Sequence, residues 1–403
     1  MTRHLFGTVA FCLPVAVFGA ALPGAEPWST YQGNAAHSGY VPVSLEPGDI
    51  SFRWDRTFGS GHALNPVTAA DGKIFVSKRL YFNDVDSLYA LDEVTGGTLW
   101  SKNFGSVFSV NPPSYAYGNV YVQTGNHGSD TYLRAYNADT GGFVFRTPHS
   151  AQWERYYAPT IYDGKVYVDG GYYGGMYSFD AFSGGQDWFH GLPQYDDWTP
   201  AVDGDYAYAY VGEYSPGLYV LDRITGNQEF MIPDPNFDWN GWSMDLAPLI
   251  GAMDDVLAIH DGRLISFDLV NRDIRWELDR SFTGQPSLAG GVIYAIDGGA
   301  LVARSELTGS QLWGWEVPSD SLTGTIIVTD THVFTRTSSS VYMVDIATHQ
   351  DVWSYPVSGH LTLSDYALYI AGDNGILTAI SLPEPTCLSL LALGGLLVTR
   401  RRR

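Results

Sequence analysis

The chain has 403 residues, 45% of them hydrophobic and 16% charged, with a formal net charge of −21. The apolar share is too high for a disordered chain, and the acidic balance disfavours nucleic acid or an anionic membrane surface as partner. Its two cysteines, Cys12 and Cys387, lie near the termini, so no disulfide framework staples the interior.

Arg3 and His4 precede an apolar run from Leu5 to Ala21, with small residues at Gly19, Ala20, Ala21 and Ala25. Residues 1–25 are therefore expected to be a secretory signal peptide, cut between 21 and 25. Cys12 sits inside the apolar run and is followed by Leu13, which does not make a lipoprotein box. Residues 26–51 form a lead-in segment that contains WSTYQGNAAHSGY, Trp28 to Tyr40.

From residue 52 the chain becomes periodic. Trp54, Trp100, Phe145, Trp188, Phe230, Trp276, Trp313 and Trp353 recur at intervals of 46, 45, 43, 42, 46, 37 and 40 residues. Seven of them end the same phrase, as in LYALDEVTGGTLW (Leu88 to Trp100) and LYVLDRITGNQEF (Leu218 to Phe230). Alternating apolar residues, an Asp, a Thr-Gly and a second short run predict strand, tight turn, strand. Upstream of each phrase a Pro opens one strand and Asp-Gly or Gly-Gly turns into the next, as in APTIYDGKVYV (Ala158 to Val168). A four-stranded meander of about 40 residues is the blade of a β-propeller. After Trp353 only three strands follow, near 360–364, 366–371 and 375–382, whereas FRWDRTF (Phe52 to Phe58) is a strand with no unit before it. The N-terminal strand is expected to complete the last blade, giving an all-β, eight-bladed propeller over 52–382, with seven blades as the alternative.

The tail reads Pro383-Glu384-Pro385, then TCLSLLALGGLLVT, then Arg400, Arg401, Arg402 and Arg403. The arginines favour the cytoplasmic side of a membrane. The apolar stretch is shorter than the about 20 residues that span a bilayer as a helix.

Catalytic signatures such as G-x-S-x-G, H-E-x-x-H and G-x-G-x-x-G are absent, and the ten histidines show no metal-ligand spacing. No catalytic or cofactor-binding residue is assigned. Acidic runs at 83–86, 196–197, 234–238 and 254–255 admit Ca²⁺ without matching its twelve-residue loop. The phrase residues Asp92, Asp180, Asp222, Asp268 and Asp345 read as turn-bonding, and the periodic aromatics as packing between blades. The remaining aromatics are more informative. Trp153, Tyr156, Tyr157, Asp197, Trp198, Asp238, Trp239, Asn240 and Trp242 fall in connections between blades, which emerge together on one face around the channel. Aromatic rings beside carboxylates and amides suit a sugar, so this arc is the candidate ligand face.

The phrase A-x-D-x-x-T-G-x-x-x-W, the blade count and the segment Trp28 to Tyr40 resemble the PQQ-like β-propeller repeat family, which includes quinoprotein alcohol dehydrogenases and outer-membrane assembly scaffolds. The resemblance spans Trp28 to Leu382 and implies the fold. Quinoprotein alcohol dehydrogenases carry adjacent cysteines against the cofactor, and many a C-x-x-C-H haem site, whereas this chain has no cysteine between 28 and 382. PQQ is therefore not expected. The tail resembles the PEP-CTERM sorting signal of Gram-negative bacteria, which implies processing by an exosortase. Loss of 1–25 and 383–403 would remove five of the 22 Lys+Arg and one of the 43 Asp+Glu, deepening the net charge to −25.

The expected function is a secreted, non-catalytic binding or scaffolding module at the cell surface or in extracellular polymer matrix. Its expected partners are signal peptidase and exosortase during export, then extracellular polysaccharide or matrix proteins, with transient membrane contact through the tail. The alternatives are an enzyme at the channel mouth, either a PQQ-dependent dehydrogenase or a polysaccharide hydrolase or lyase, and an envelope assembly scaffold.

Overall fold

The computed structural model describes residues 28–46, 48, 50–59, 61–125, 131–151, 158–170, 174–193, 198–212, 214–238, 246–364 and 367–382; residues 1–27 and the tail with Pro383, Glu384, Pro385 and Arg400 to Arg403 lie outside them. Eight antiparallel sheets follow one another round a channel, and no helix occurs among the described residues. Blades 1 to 7 span 68–103, 109–149, 160–190, 201–233, 249–279, 282–315 and 323–355. Blade 8 comprises 360–381 and is closed by Ser51–Thr57, which pairs antiparallel with Ile376–Ser381. The count is eight, and the chain's own start covers the edge its end leaves open.

The phrase turns form as the residues dictate. The Asp92 carboxylate accepts the backbone N–H of Thr95 at 2.8 Å and its hydroxyl at 2.7 Å. Asp222 and Thr225, and Asp345 and Thr348, repeat the arrangement. Asp180 does the same with Ser183, and Asp268 with Asn271.

All eight periodic aromatics lie on outer strands. Four indoles donate Nε1–H to a carbonyl of the next blade's phrase turn: Trp54 to Glu93, Trp100 to Ala138, Trp188 to Arg223 and Trp276 to Glu306, at 2.8 to 3.1 Å. Beneath Trp54, Trp100, Phe145, Trp188 and Trp276 lie Gly96, Gly141, Gly184, Gly226 and Gly309, where a Cβ would come within 2.3 to 3.0 Å of the ring. Two turns lack that glycine. There Arg272 and His349 take the left-handed conformation instead, with Arg272 over Phe230 at 4.3 Å and His349 stacked on Trp313 at 4.6 Å. Phe145 has no N–H to give, and the corresponding carbonyl, Ala181, accepts the Tyr121 hydroxyl at 2.8 Å.

The lead-in segment is part of the ring. Each inner strand faces the channel with a row of unpaired backbone groups that need partners. Residues 28–43 supply them blade by blade: Trp28 O accepts from Ala69 N, Ser29 O from Tyr115 N, Ala35 O from Val202 N, Ala36 O from Ile250 N, Ser38 O from Leu288 N and Gly39 O from Val328 N. At blade 3 the Thr30 hydroxyl donates to Pro159 O at 2.8 Å. Tyr40–Val41 then adds as a parallel strand to blade 7.

A second ring uses side chains. Inner-strand hydroxyls donate to a carbonyl of the next blade: Thr362 to Val67, Thr68 to Pro113, Ser114 to Pro159 and Ser287 to Ile326. Blades 4, 5 and 7 carry Ala201, Leu249 and Ile327 at that position and have no hydroxyl to offer. The lead-in segment fills the first two gaps. His37 Nδ1 donates to Pro248 O at 2.9 Å, and Gln32 Nε2 to Pro286 O at 3.3 Å.

Candidate functional site

The two faces of the ring are unequal. In an up-and-down meander the first hairpin and the phrase turn of every blade share one face; the loops between second and third strands and the blade-to-blade connections share the other. The amides bonded by the lead-in segment sit at the ends of inner strands beside the first hairpins, such as Ala69 before Asp71-Gly72. The chain itself therefore occupies the channel at the hairpin face. The amides it bonds lie away from the opposite, crossing face.

Of the predicted arc, Trp153, Tyr156, Tyr157, Asp197, Trp239, Asn240 and Trp242 lie outside the described residues. Asp238 is exposed, and its carbonyl accepts His260 Nε2 at 2.8 Å. Trp198 differs from the expectation: it is fully buried in a cluster with Tyr167, Met176 and Leu192, so its ring is core and presents no stacking face.

Around this arc the polar groups are anchors. Arg263 bonds both oxygens of the fully buried Asp234, at 2.6 and 3.2 Å, and the Tyr210 hydroxyl donates to the same carboxylate at 2.6 Å. Burial pulls the Asp234 carboxyl up, but Arg263 and Tyr210 outweigh it and hold it below the ordinary range. His260 stacks on Phe237 at 4.2 Å. In blade 2, burial takes His149 down to about 4, so its neutral Nε2 accepts from the Gln123 amide at 3.2 Å.

Of the acidic runs, 196–197 lies outside the described residues, while Asp234 and Asp255 are committed to protein partners. Asp255 accepts the Ser266 hydroxyl at 2.6 Å and pairs with the Glu306 carboxyl of blade 6, while Glu306 Oε1 accepts Met253 N at 3.0 Å. Among the described residues no three His, Cys, Asp or Glu side chains group as a metal site. A shallow depression in blade 6 contains Arg280 and Asp297, already paired at 2.8 Å.

Blades 7, 8 and 1 hold a grouping that sequence reasoning missed. Arg79, in the loop after the second strand of blade 1, brings NH2 to 3.4 Å from His360 Nε2 in blade 8. Arg336 of blade 7 donates NH1 to Ser358 Oγ at 3.0 Å, lies over Gly324 and keeps a buried Nε with no partner among the described residues. Two and three residues from Arg79, Tyr81 and Phe82 are 59% and 43% exposed and form an edge-to-face trio with Phe108, at 5.0, 5.3 and 5.8 Å. None of these residues is periodic, so only the Lys-Arg-x-Tyr-Phe run after a strand marked them.

Comparison with known proteins agrees with this architecture. The family model described as outer membrane protein assembly factor BamB matches residues 24–154 and 196–384. BamB from Moraxella catarrhalis superposes with a TM-score of 0.64 at 16% identity, covering 82% of this chain and 99% of that one. Quinohemoprotein alcohol dehydrogenase from Comamonas testosteroni gives 0.69 at 14%, covering 88% of this chain and 80% of that one. The quinohemoprotein alcohol dehydrogenase ADHIIG from Pseudomonas putida HK5 gives 0.70 at 14%, covering 89% and 81%. No curated protein matches the sequence. At these identities the structural likeness carries the fold alone.

Proposed function

Because the chain belongs to the outer membrane protein assembly factor BamB family of PQQ-type propellers, we propose that it is an exported, non-catalytic binding module whose crossing face holds extracellular polymer, with a glycan as ligand. The observation that carries this reading is the lead-in segment, which bonds blades 1 to 7 in turn and leaves one face for recognition. The signal-like start and the PEP-CTERM-like tail support an address at the cell surface after exosortase processing.

The PQQ-dependent alternative fits the residues poorly. Thr68, Ser114, Ser287 and Thr362 on the inner strands spend their hydroxyls on carbonyls of the neighbouring blade, and residues 28–382 contain no cysteine. The family's printed description favours a second reading, an envelope assembly scaffold with a protein partner. Capture assays on purified matrix polysaccharide and on envelope protein separate the two. Saturable retention by polysaccharide supports the first reading; retention by envelope protein alone replaces it with the second.

A further inference from the structure

We infer that the loop 78–85 of blade 1, together with blades 7 and 8, forms a subsite for a carboxylated sugar, a uronate unit set among neutral sugars. This rests on the glycan-binding reading above and narrows its ligand.

In a chain of net charge −21, Arg223, Arg263, Arg275, Arg280 and Arg304 each meet a carboxylate within 3.5 Å, whereas Arg53, Arg134 and Arg336 give a bond to a hydroxyl. Arg336 meets no carboxylate among the described residues, and Arg79 reaches only the exposed Asp373, at 3.9 Å. Burial and the two neighbouring guanidiniums bring His360 down to about 4, so its ring is neutral. Two guanidinium charges thus act on one neutral imidazole, with the exposed Asp373 as the counter-charge they share among the described residues. Planar guanidinium forks are suited to a carboxylate.

The aromatic rings supply the second half. Phe82 is held at φ 52°, with its N–H bonded to Val107 O at 2.8 Å. A bulky side chain in the left-handed region is strained, and here the strain presents a ring to solvent rather than to the core. Tyr81 and Phe82, packed on Phe108 on the blade 2 side of the loop, offer apolar faces to one pyranose of a chain whose carboxylate would reach Arg79 on the blade 8 side. The surrounding acidic surface repels further carboxylates, so an isolated uronate fits better than a polyanion.

Isothermal titration tests this on the purified protein with a neutral oligosaccharide bearing one glucuronic acid, its carboxyl-reduced counterpart, a polyuronate and inorganic phosphate. The acidic oligosaccharide should bind, and carboxyl reduction should weaken it about tenfold or more. Arg79→Ala and Tyr81→Ala, both at exposed positions, should each weaken it similarly with the melting temperature unchanged. Equal binding of acidic and reduced forms, or no effect of Arg79→Ala, overturns the uronate inference while the glycan reading stands. Phosphate binding as tightly as the oligosaccharide, or polyuronate binding more tightly with length, also overturns it, since charge alone would then suffice. Binding of neither oligosaccharide defeats both.

Discussion

The indole of Trp100 lies flat over Gly141 of the following blade and donates its Nε1–H to the Ala138 carbonyl at 2.8 Å. Gly141 is left-handed, at φ 66°, and a Cβ there would stand 2.9 Å from the ring. Gly141→Ala therefore adds backbone strain to a clash and should cost about 2 to 4 kcal/mol, read from urea unfolding. The same substitution at Gly72, which meets nothing within 4 Å, should cost less, through φ alone.

Tyr121 stands in for the missing indole donor at Phe145. Tyr121→Phe strands the buried Ala181 carbonyl and should cost about 1 kcal/mol or more. Adding Phe145→Trp to that variant should recover part of the loss, because the indole N–H is the donor used at the other joints. A double-mutant cycle on unfolding free energy checks this.

The lead-in segment should be essential to the ring. Gly39 faces Ser287 so closely that a Cβ would fall 2.0 Å from its Oγ, and Gly39→Ala should lower the melting temperature sharply. His37→Ala removes the donor to Pro248 O and leaves a void; about 2 to 4 kcal/mol is expected. Burial brings His37 down to about 4, so protonating it in the folded state is unfavourable. Stability from this site should be complete above the ordinary 6.5 and fall as pH drops through 6.5 toward 4.

Asp255 and Glu306 give the opposite slope. Burial first, then the neighbouring Glu306, raises Asp255 from 3.8 to about 7. Between those values the folded protein holds a proton that the unfolded chain lacks, so this pair should make stability fall as pH rises from about 4 to about 7. Asp255→Asn should flatten that limb and raise the melting temperature at pH 8 more than at pH 5. Circular-dichroism melts across the range read it directly.

Much of the fold was legible because it repeats. The Asp, Thr, Gly and Trp recurring among the seven phrases are local signals that repetition amplifies, and the missing last strand announced ring closure by Ser51–Thr57. The lead-in segment was not legible as a channel plug. Its bonds from Trp28, Ala35 and Gly39 use backbone groups, which leave no mark on residue type, and the compensation of Ala201 and Leu249 by His37 and Gln32 appears only when blades are adjacent in space. The aromatic arc rests on position in the connections between blades, which does not distinguish Trp198, a core residue, from a surface ring. The Arg79, Arg336 and His360 grouping joins residues more than 250 positions apart in part, so no spacing rule reaches it.

The central claim is that recognition belongs to the crossing face. With residues 28–382 free of cysteine, single cysteines can be placed at Tyr214, 74% exposed on the crossing face, and at Val270, 70% exposed on the hairpin face, and each labelled with a bulky maleimide polymer. The account predicts that the label at position 214 blocks capture by matrix polysaccharide while the label at position 270 leaves it intact. Blockade from position 270 with capture intact at 214 would contradict it.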